Sequence, residues 1–204
     1  MNAMAAAGHA GSSSPFGIGS KKFGMWLFIV SDALTFATLL ICYTYARIAS
    51  PNWPAPFAFS PSIVFSTVMT LVLLSSSLTM VLAVHAMQQD DRPAAVRWMA
   101  ATMLCGAAFV ALHLTEWKHL VAQGVTPASN PWGAPLFGAA FFGITGLHML
   151  HVTIGVIYLG VVATGLGRGR FSSEDVEVSG LYWHFVDLVW MFVFPLIYLM
   201  SVKP

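Results

Sequence analysis

The stretch from Ser179 to Tyr198, SGLYWHFVDLVWMFVFPLIY, is long and apolar enough to cross a bilayer, yet it carries His184 and Asp187 one helical turn apart. An ionisable pair in hydrocarbon is costly unless it is turned toward other protein. This helix must therefore sit in a bundle with its polar stripe inward, and Trp183, four residues before Asp187, belongs to the same stripe. A simple membrane anchor would have no use for that stripe.

The rest of the chain supplies the partners. With 57% hydrophobic and only 8% charged residues, it lies outside the range of water-soluble domains. A net charge of +1 leaves no basic face for nucleic acid. Cys42 and Cys105 both lie in apolar runs without a CxxC partner, so they read as small packing residues rather than a disulfide or a sulfur-ligated metal site.

Five apolar spans follow one another: Gly24 to Ala46, Ser62 to Met87, Val96 to Lys118, Leu136 to Thr164 and Gly180 to Val202. Each reaches the roughly 20 residues a membrane helix needs. The turn formers fall between them, as SPNWPAPFAFSP, QQDDRP and GVTPASNPWGAP. Continuous apolar runs argue against a β-barrel, which alternates with period two. The fold class expected is all-α, a polytopic bundle of five transmembrane helices over residues 22–204, preceded by a flexible polar tail over 1–21. That tail, rich in Ala, Gly and Ser, has no basic region before an apolar core and does not read as a signal peptide; His9 within it is a solvated side chain.

Basic residues orient the bundle. Lys21, Lys22, Arg92, Arg97, Arg168 and Arg170 fall on one side, and Arg47, Lys118 and Lys203 on the other. Six against three places the N-terminus in the cytoplasm and the C-terminus outside. Asp32 and Asp187 then come at similar depth in the inner half, within reach of one polar layer. His148 and His151 lie nearer the midplane, and His113, Glu116 and His119 form a stripe toward the outer end.

These groups admit two readings. Ser75, Ser76, Ser77 and Thr79 on the second span, with Gly143 and Gly146 on the fourth, suit helix packing. His148 and His151 suit either hydrogen bonds between helices or ligation of a haem or metal, with His113 able to face either one. The Glu and His pairs at His113, Glu116 and His119 approximate a di-iron element, but the second copy and the extra glutamates are missing. Three carboxylates among the spans, Asp32, Glu116 and Asp187, exceed what packing alone requires. Broken helices and internal repeats, expected of a proton-coupled carrier, are not seen in the sequence. Ser172 followed by Asp175 resembles a capping box that opens the last helix, with Glu174 and Asp175 offsetting its dipole. His85, Arg92, Arg97, Arg168 and Arg170 suit anionic lipid headgroups on the inner side.

The segment LYWHFVDLVWMF resembles the last helix of subunit III of haem-copper terminal oxidases, the cytochrome c oxidase subunit III family. FFGITGLHMLHVTIGVIYL resembles that family's preceding helix, with its pattern at Thr145, Gly146, His148 and His151, and Glu177 stands seven residues before His184 as the family's acidic residue does. FGMWLFIVSDALTF, SSSLTMVLAVHAM with His85, and LHLTEWKHL with Glu116 resemble its earlier helices, so the likeness runs from Lys22 to Met200. The long form of the family has seven helices; this chain resembles the five-helix bacterial form, and the lipid cleft formed by the missing two does not carry over. Asp32 stands where many members carry glutamate.

The resemblance implies an accessory subunit of the respiratory chain. It would bind subunit I side-on in an oxidase that also contains subunit II, hold phospholipid in the bacterial inner membrane, and support proton uptake during oxygen reduction. Haem and copper would sit on the partner subunits, with no metal or cofactor here. Asp32, Glu116, His148, His151, Glu177, His184 and Asp187 would then form its polar or proton-network residues. Subunit III of a quinol oxidase, or a homologue accompanying nitric oxide reductase, would share this pattern. A stand-alone haem protein or proton-coupled carrier is the alternative of another class.

Overall fold

The computed structural model describes residues 19–202; His9, most of the polar tail and Lys203 lie outside them. Five long helices follow the expected spans, with α1, α3 and α4 running past them at both ends: α1 Ser20–Ala49, α2 Val64–Gln88, α3 Arg92–Ala122, α4 Pro135–Gly167 and α5 Ser173–Val193. All five are long and apolar enough to cross a membrane. Among the described residues there is no strand beyond one isolated bridge between Phe57 and Val202.

Local chemistry sets the ends. Asp91 caps α3 by accepting from the Ala94 backbone N–H at 3.0 Å, with Pro93 in the first turn, where the missing N–H costs nothing. Gly124 and Gly169, at φ of 84° and 70°, let the chain leave α3 and α4 through the left-handed region. At Ser172 the Asp175 carboxylate accepts from the Ser172 backbone N–H at 2.9 Å, so the last helix begins at Ser173, seven residues before the apolar span that announces it.

Two spans are irregular at the end that joins α1 to α2, which corrects the expectation of unbroken helices. Phe59–Ile63 forms a π-turn ahead of α2 with Ser60 outside helical angles, next to Pro61. Phe194–Tyr198 widens into a π-turn at Pro195 before a short 3-10 turn at Leu199–Ser201. Proline lacks the N–H that would close the regular ladder, so the register loosens there.

Helices α2, α3, α4 and α5 close a ring in which each touches the next, and α1 lies outside it against α5 and α4. Trp183 of α5 fills the centre of the ring. A Cβ at Gly106 on α3 would stand 2.5 Å from its ring, and one at Gly155 on α4 2.9 Å, so these two glycines make its cradle. Gly146 admits Trp117 in the same way, at 3.1 Å, whereas a Cβ at Gly143 meets nothing within 4 Å, so the expected packing role falls to Gly146 alone of that pair. Cys105 is half-buried, but Cys42 lies on the exposed side of α1 rather than in the packing.

Candidate functional site

The polar interior is organised by one stripe of α5 continued into its π-turn: Trp183, Asp187, Trp190 and Tyr198, all buried. Spacings of four, three and eight keep these side chains on one face. Trp183 Nε1–H donates to Ser76 Oγ at 2.8 Å and Trp190 Nε1–H to Thr70 Oγ1 at 2.9 Å, both on α2. The Tyr198 hydroxyl donates to Glu116 Oε2 on α3 at 2.8 Å, and Ser66 of α2 donates to Glu116 Oε1 at 2.6 Å. Glu116 therefore ties α2, α3 and the end of α5 at one point. Its stripe mates diverge: His113 is fully buried with Nδ1 3.9 Å from Glu116 Oε2, while His119 is exposed and pairs with Gln123 at 2.8 Å.

Asp187 sits in the same wall under different conditions. It is 3% exposed and makes no hydrogen bond through either carboxylate oxygen, and its polar neighbour Ser77 is paired with His184 Nδ1 at 2.8 Å. His184 thus reaches α2 rather than Asp187, although the two are one turn apart. Asp32 does not share a contact with Asp187 as their equal depth suggested: its Oδ2 lies 3.3 Å from His151 Nε2, because α1 packs on the α4 side of α5. His151 Nδ1 lies 2.8 Å from the Leu147 carbonyl and so carries the proton donated there, while Nε2 faces Asp32 Oδ2 without a hydrogen bond.

Between these carboxylates lie His113 and His148. Both are buried, and none of their four ring nitrogens has a hydrogen-bond partner. Phe109 lies 5.7 Å from each ring, and Trp190 stacks on His148 at 4.9 Å and meets His113 edge-on at 5.5 Å. Aromatic rings thus occupy the flanks of both imidazoles. Among the described residues no group of three His, Cys, Asp or Glu converges as a metal site would require.

At the opposite end of the bundle the charges pair on the surface. Lys22 meets Glu177 at 2.8 Å and Lys21 meets Asp175 at 2.6 Å, fastening the start of α1 to the start of α5. Glu177 thus orients Lys22. The basic residues expected to hold lipid separate into two places. Arg92 and Arg97 line a groove of ≈ 640 Å³ with Leu166 and Gly169, next to the exposed Arg168 and Arg170. His85 instead pairs with Gln89 at 3.0 Å and borders a groove of ≈ 480 Å³ with Lys22, Glu177 and His184.

Sequence reasoning missed Ser66, Thr70, Trp190 and Tyr198 as polar partners. Tyr198 and Trp190 were legible as members of the Trp183–Asp187 stripe, but the α2 hydroxyls they meet depend on how α2 rotates against α5, for which one sequence gives no signal.

The chain matches the family described as cytochrome c oxidase subunit III over residues 3–202. It is 33% identical to cytochrome c oxidase subunit 3 of Alkalihalophilus pseudofirmus, covering 90% of this chain and 89% of that one. It is 31% identical to the cytochrome bo(3) ubiquinol oxidase subunit 3 of Pseudomonas aeruginosa, over 90% and 86%, and 32% identical to quinol oxidase subunit 3 of Bacillus subtilis, over 97% and 98%. With five membrane-length helices, a last helix reading LYWHFVDLVWMF and this match along nearly its whole length, the chain belongs to the cytochrome c oxidase subunit III family.

Proposed function

We propose that the chain is an accessory subunit of a haem-copper respiratory oxidase, one that stabilises subunit I, holds phospholipid and supports proton uptake while the redox metals reside on partner subunits. The observation that carries this reading is the match along nearly the whole chain to subunit III of cytochrome c and quinol oxidases. Glu116 accepts from two hydroxyls on neighbouring helices, His184 is paired with Ser77, and no three donors converge among the described residues. The named relatives serve both cytochrome c and quinol oxidases, which suits a subunit whose form is indifferent to the electron donor. The groove at Arg92 and Arg97, with an apolar floor at Val96 and Leu166, has the charge and shape for a phospholipid headgroup and the start of its chains.

In this reading the N-terminus is cytoplasmic and the C-terminus lies outside, following the basic residues. A reporter active only outside the cytoplasm should give signal when fused at Lys203 and none when fused after Gly169; the reverse pattern would invert the topology. The functional test is purification of the tagged full chain in mild detergent. It should bring down the haem-carrying subunit and subunit II, and the chain stripped of them should show no Soret band. Isolation alone, with a haem lost on His113→Ala or His148→Ala, would replace the accessory reading by a haem-binding one.

A further inference from the structure

Two grooves open at the end of the bundle where α1 and α5 begin, and their charges differ. The one between α3 and α4 is lined by Arg92 and Arg97, with Arg168 and Arg170 exposed beside it, and none of the described residues lining it is acidic. The other, of ≈ 480 Å³, runs between α2 and α5. Its rim holds both signs, with Lys22 from α1, Glu177 from α5, and His85 and Gln88 from α2.

The second groove is layered as a lipid is. From Gln88 to Val81 on α2, and from Glu177 to His184 on α5, it descends about 10 Å at the helical rise. Below the charged rim its walls are Val81, Leu82, Val84 and Leu181, and His184 stands at the deep end with Nδ1 spent on Ser77 at 2.8 Å. Gly180 forms the floor, where a Cβ would stand 3.3 Å from Met80 and 3.4 Å from Val84, so α5 closes on α2 behind the groove. Val81 is exposed, and one turn deeper on each helix Leu78 and Leu188 are exposed too, so the apolar track runs on along the lipid-facing surface. A water-soluble ligand would leave these walls bare, whereas the chains of a phospholipid cover them.

Lys22 and Glu177 meet at 2.8 Å, and each keeps about a third of its side chain exposed. The ammonium therefore has N–H donors to spare and the carboxylate a second oxygen. A cation and an anion side by side match, head to tail, the phosphate and ammonium of phosphatidylethanolamine: the phosphate accepts from Lys22 while the lipid ammonium donates to Glu177. A phosphatidylglycerol headgroup brings only negative charge to Glu177, and the trimethylated ammonium of phosphatidylcholine has no N–H to donate. We propose that the α2–α5 groove is a phospholipid site selective for phosphatidylethanolamine, while the arginine-lined α3–α4 groove takes anionic headgroups. The selectivity deepens the lipid-holding part of the proposed function and rests on it. Glu177 is the residue that separates the two grooves in charge.

The test places the full-length chain in nanodiscs of equal parts phosphatidylethanolamine, phosphatidylglycerol and phosphatidylcholine with identical acyl chains. Native mass spectrometry then counts the lipids that stay with it on release into mild detergent. The wild-type chain should retain phosphatidylethanolamine and phosphatidylglycerol, each above its share. Glu177→Gln should weaken retention of phosphatidylethanolamine about tenfold, the scale of one charge-assisted hydrogen bond, and leave phosphatidylglycerol as it was. Glu177→Lys should turn the site toward phosphatidylglycerol, Lys22→Arg should behave as wild type, and Arg97→Gln should lose phosphatidylglycerol alone. If Glu177→Lys fails to fold, Glu177→Gln decides. Phosphatidylethanolamine held no better than phosphatidylcholine, or both retained lipids falling together in Glu177→Gln because the ion pair only holds α1 in place, overturns the selectivity. In either case phosphatidylglycerol retained by the wild-type chain leaves the lipid-holding reading standing, whereas a chain that keeps no phospholipid overturns both. None of these results depends on whether oxidase subunits copurify.

Discussion

Glu116 and Asp187 are both buried carboxylates facing the interior of the same helical ring, and their surroundings have little in common. Glu116 has a hydroxyl on each oxygen, from Ser66 and Tyr198, and so joins three segments of chain. Neither oxygen of Asp187 has a partner at hydrogen-bonding geometry, and Ser77, the hydroxyl facing it, is paired with His184 while keeping capacity for a second bond. One carboxylate is a clamp; the other is a polar group kept without a structural bond. The surroundings sharpen the contrast, because Glu116 also borders a cleft of ≈ 260 Å³ whereas Asp187 is 3% exposed. Burial of a charge-bearing side chain therefore does not by itself identify what it does; its donors do.

The largest effect should come from breaking the clamp. Glu116→Ala removes two interhelical hydrogen bonds and leaves a void, and is expected to lower the stability of the full chain by about 3 kcal/mol, read as a fall in its unfolding midpoint in detergent. Glu116→Gln, which keeps volume and one acceptor, should lose about half of that. Next comes the Trp183 cradle: Gly106→Ala puts a methyl 2.5 Å from the indole and should cost about 2 kcal/mol, whereas Gly143→Ala, with open space, should be neutral or slightly stabilising. Equal effects at the two glycines would show that Trp183 is loosely held. Asp187→Asn forfeits no hydrogen bond and should change stability by less than about 1 kcal/mol in either direction. A loss as large as that of Glu116→Ala would erase the distinction between the two carboxylates.

The smallest effect is expected at the charged rim. Lys22 and Glu177 are each about a third exposed, at 37% and 33%, so Glu177→Gln should cost about 0.5 kcal/mol and the cost should shrink with added salt. Glu174→Gln, which breaks neither of the two ion pairs, should leave stability and assembly unchanged.

Much of this was legible in the sequence, for reasons that can be stated residue by residue. Hydropathy alone locates five helices, because a bilayer demands about twenty apolar residues whatever the partners are. The inward stripe at Trp183 and Asp187 follows from the cost of polarity in lipid. Glu116 was visible as a candidate for the same reason, but its donors Ser66 and Tyr198, on α2 and beyond α5, were not: rotation of one helix by a single residue would bring another hydroxyl forward. Asp32 was given the wrong neighbour, since sequence yields a position along one helix while the neighbour depends on where α1 docks around the ring. The π-turns at Phe59–Ile63 and Phe194–Tyr198 were signalled by Pro61 and Pro195, and the apolar character of both segments masked that signal.

The account rests on the claim that this chain sustains an oxidase without performing its chemistry. The most direct measurement is continuous oxygen consumption by the purified complex prepared with and without this subunit, at equal haem content. The initial rate per haem should be retained in its absence, and activity should then decay faster during sustained turnover. Abolition of the initial rate with haem and copper intact, or an unchanged lifetime, would contradict it.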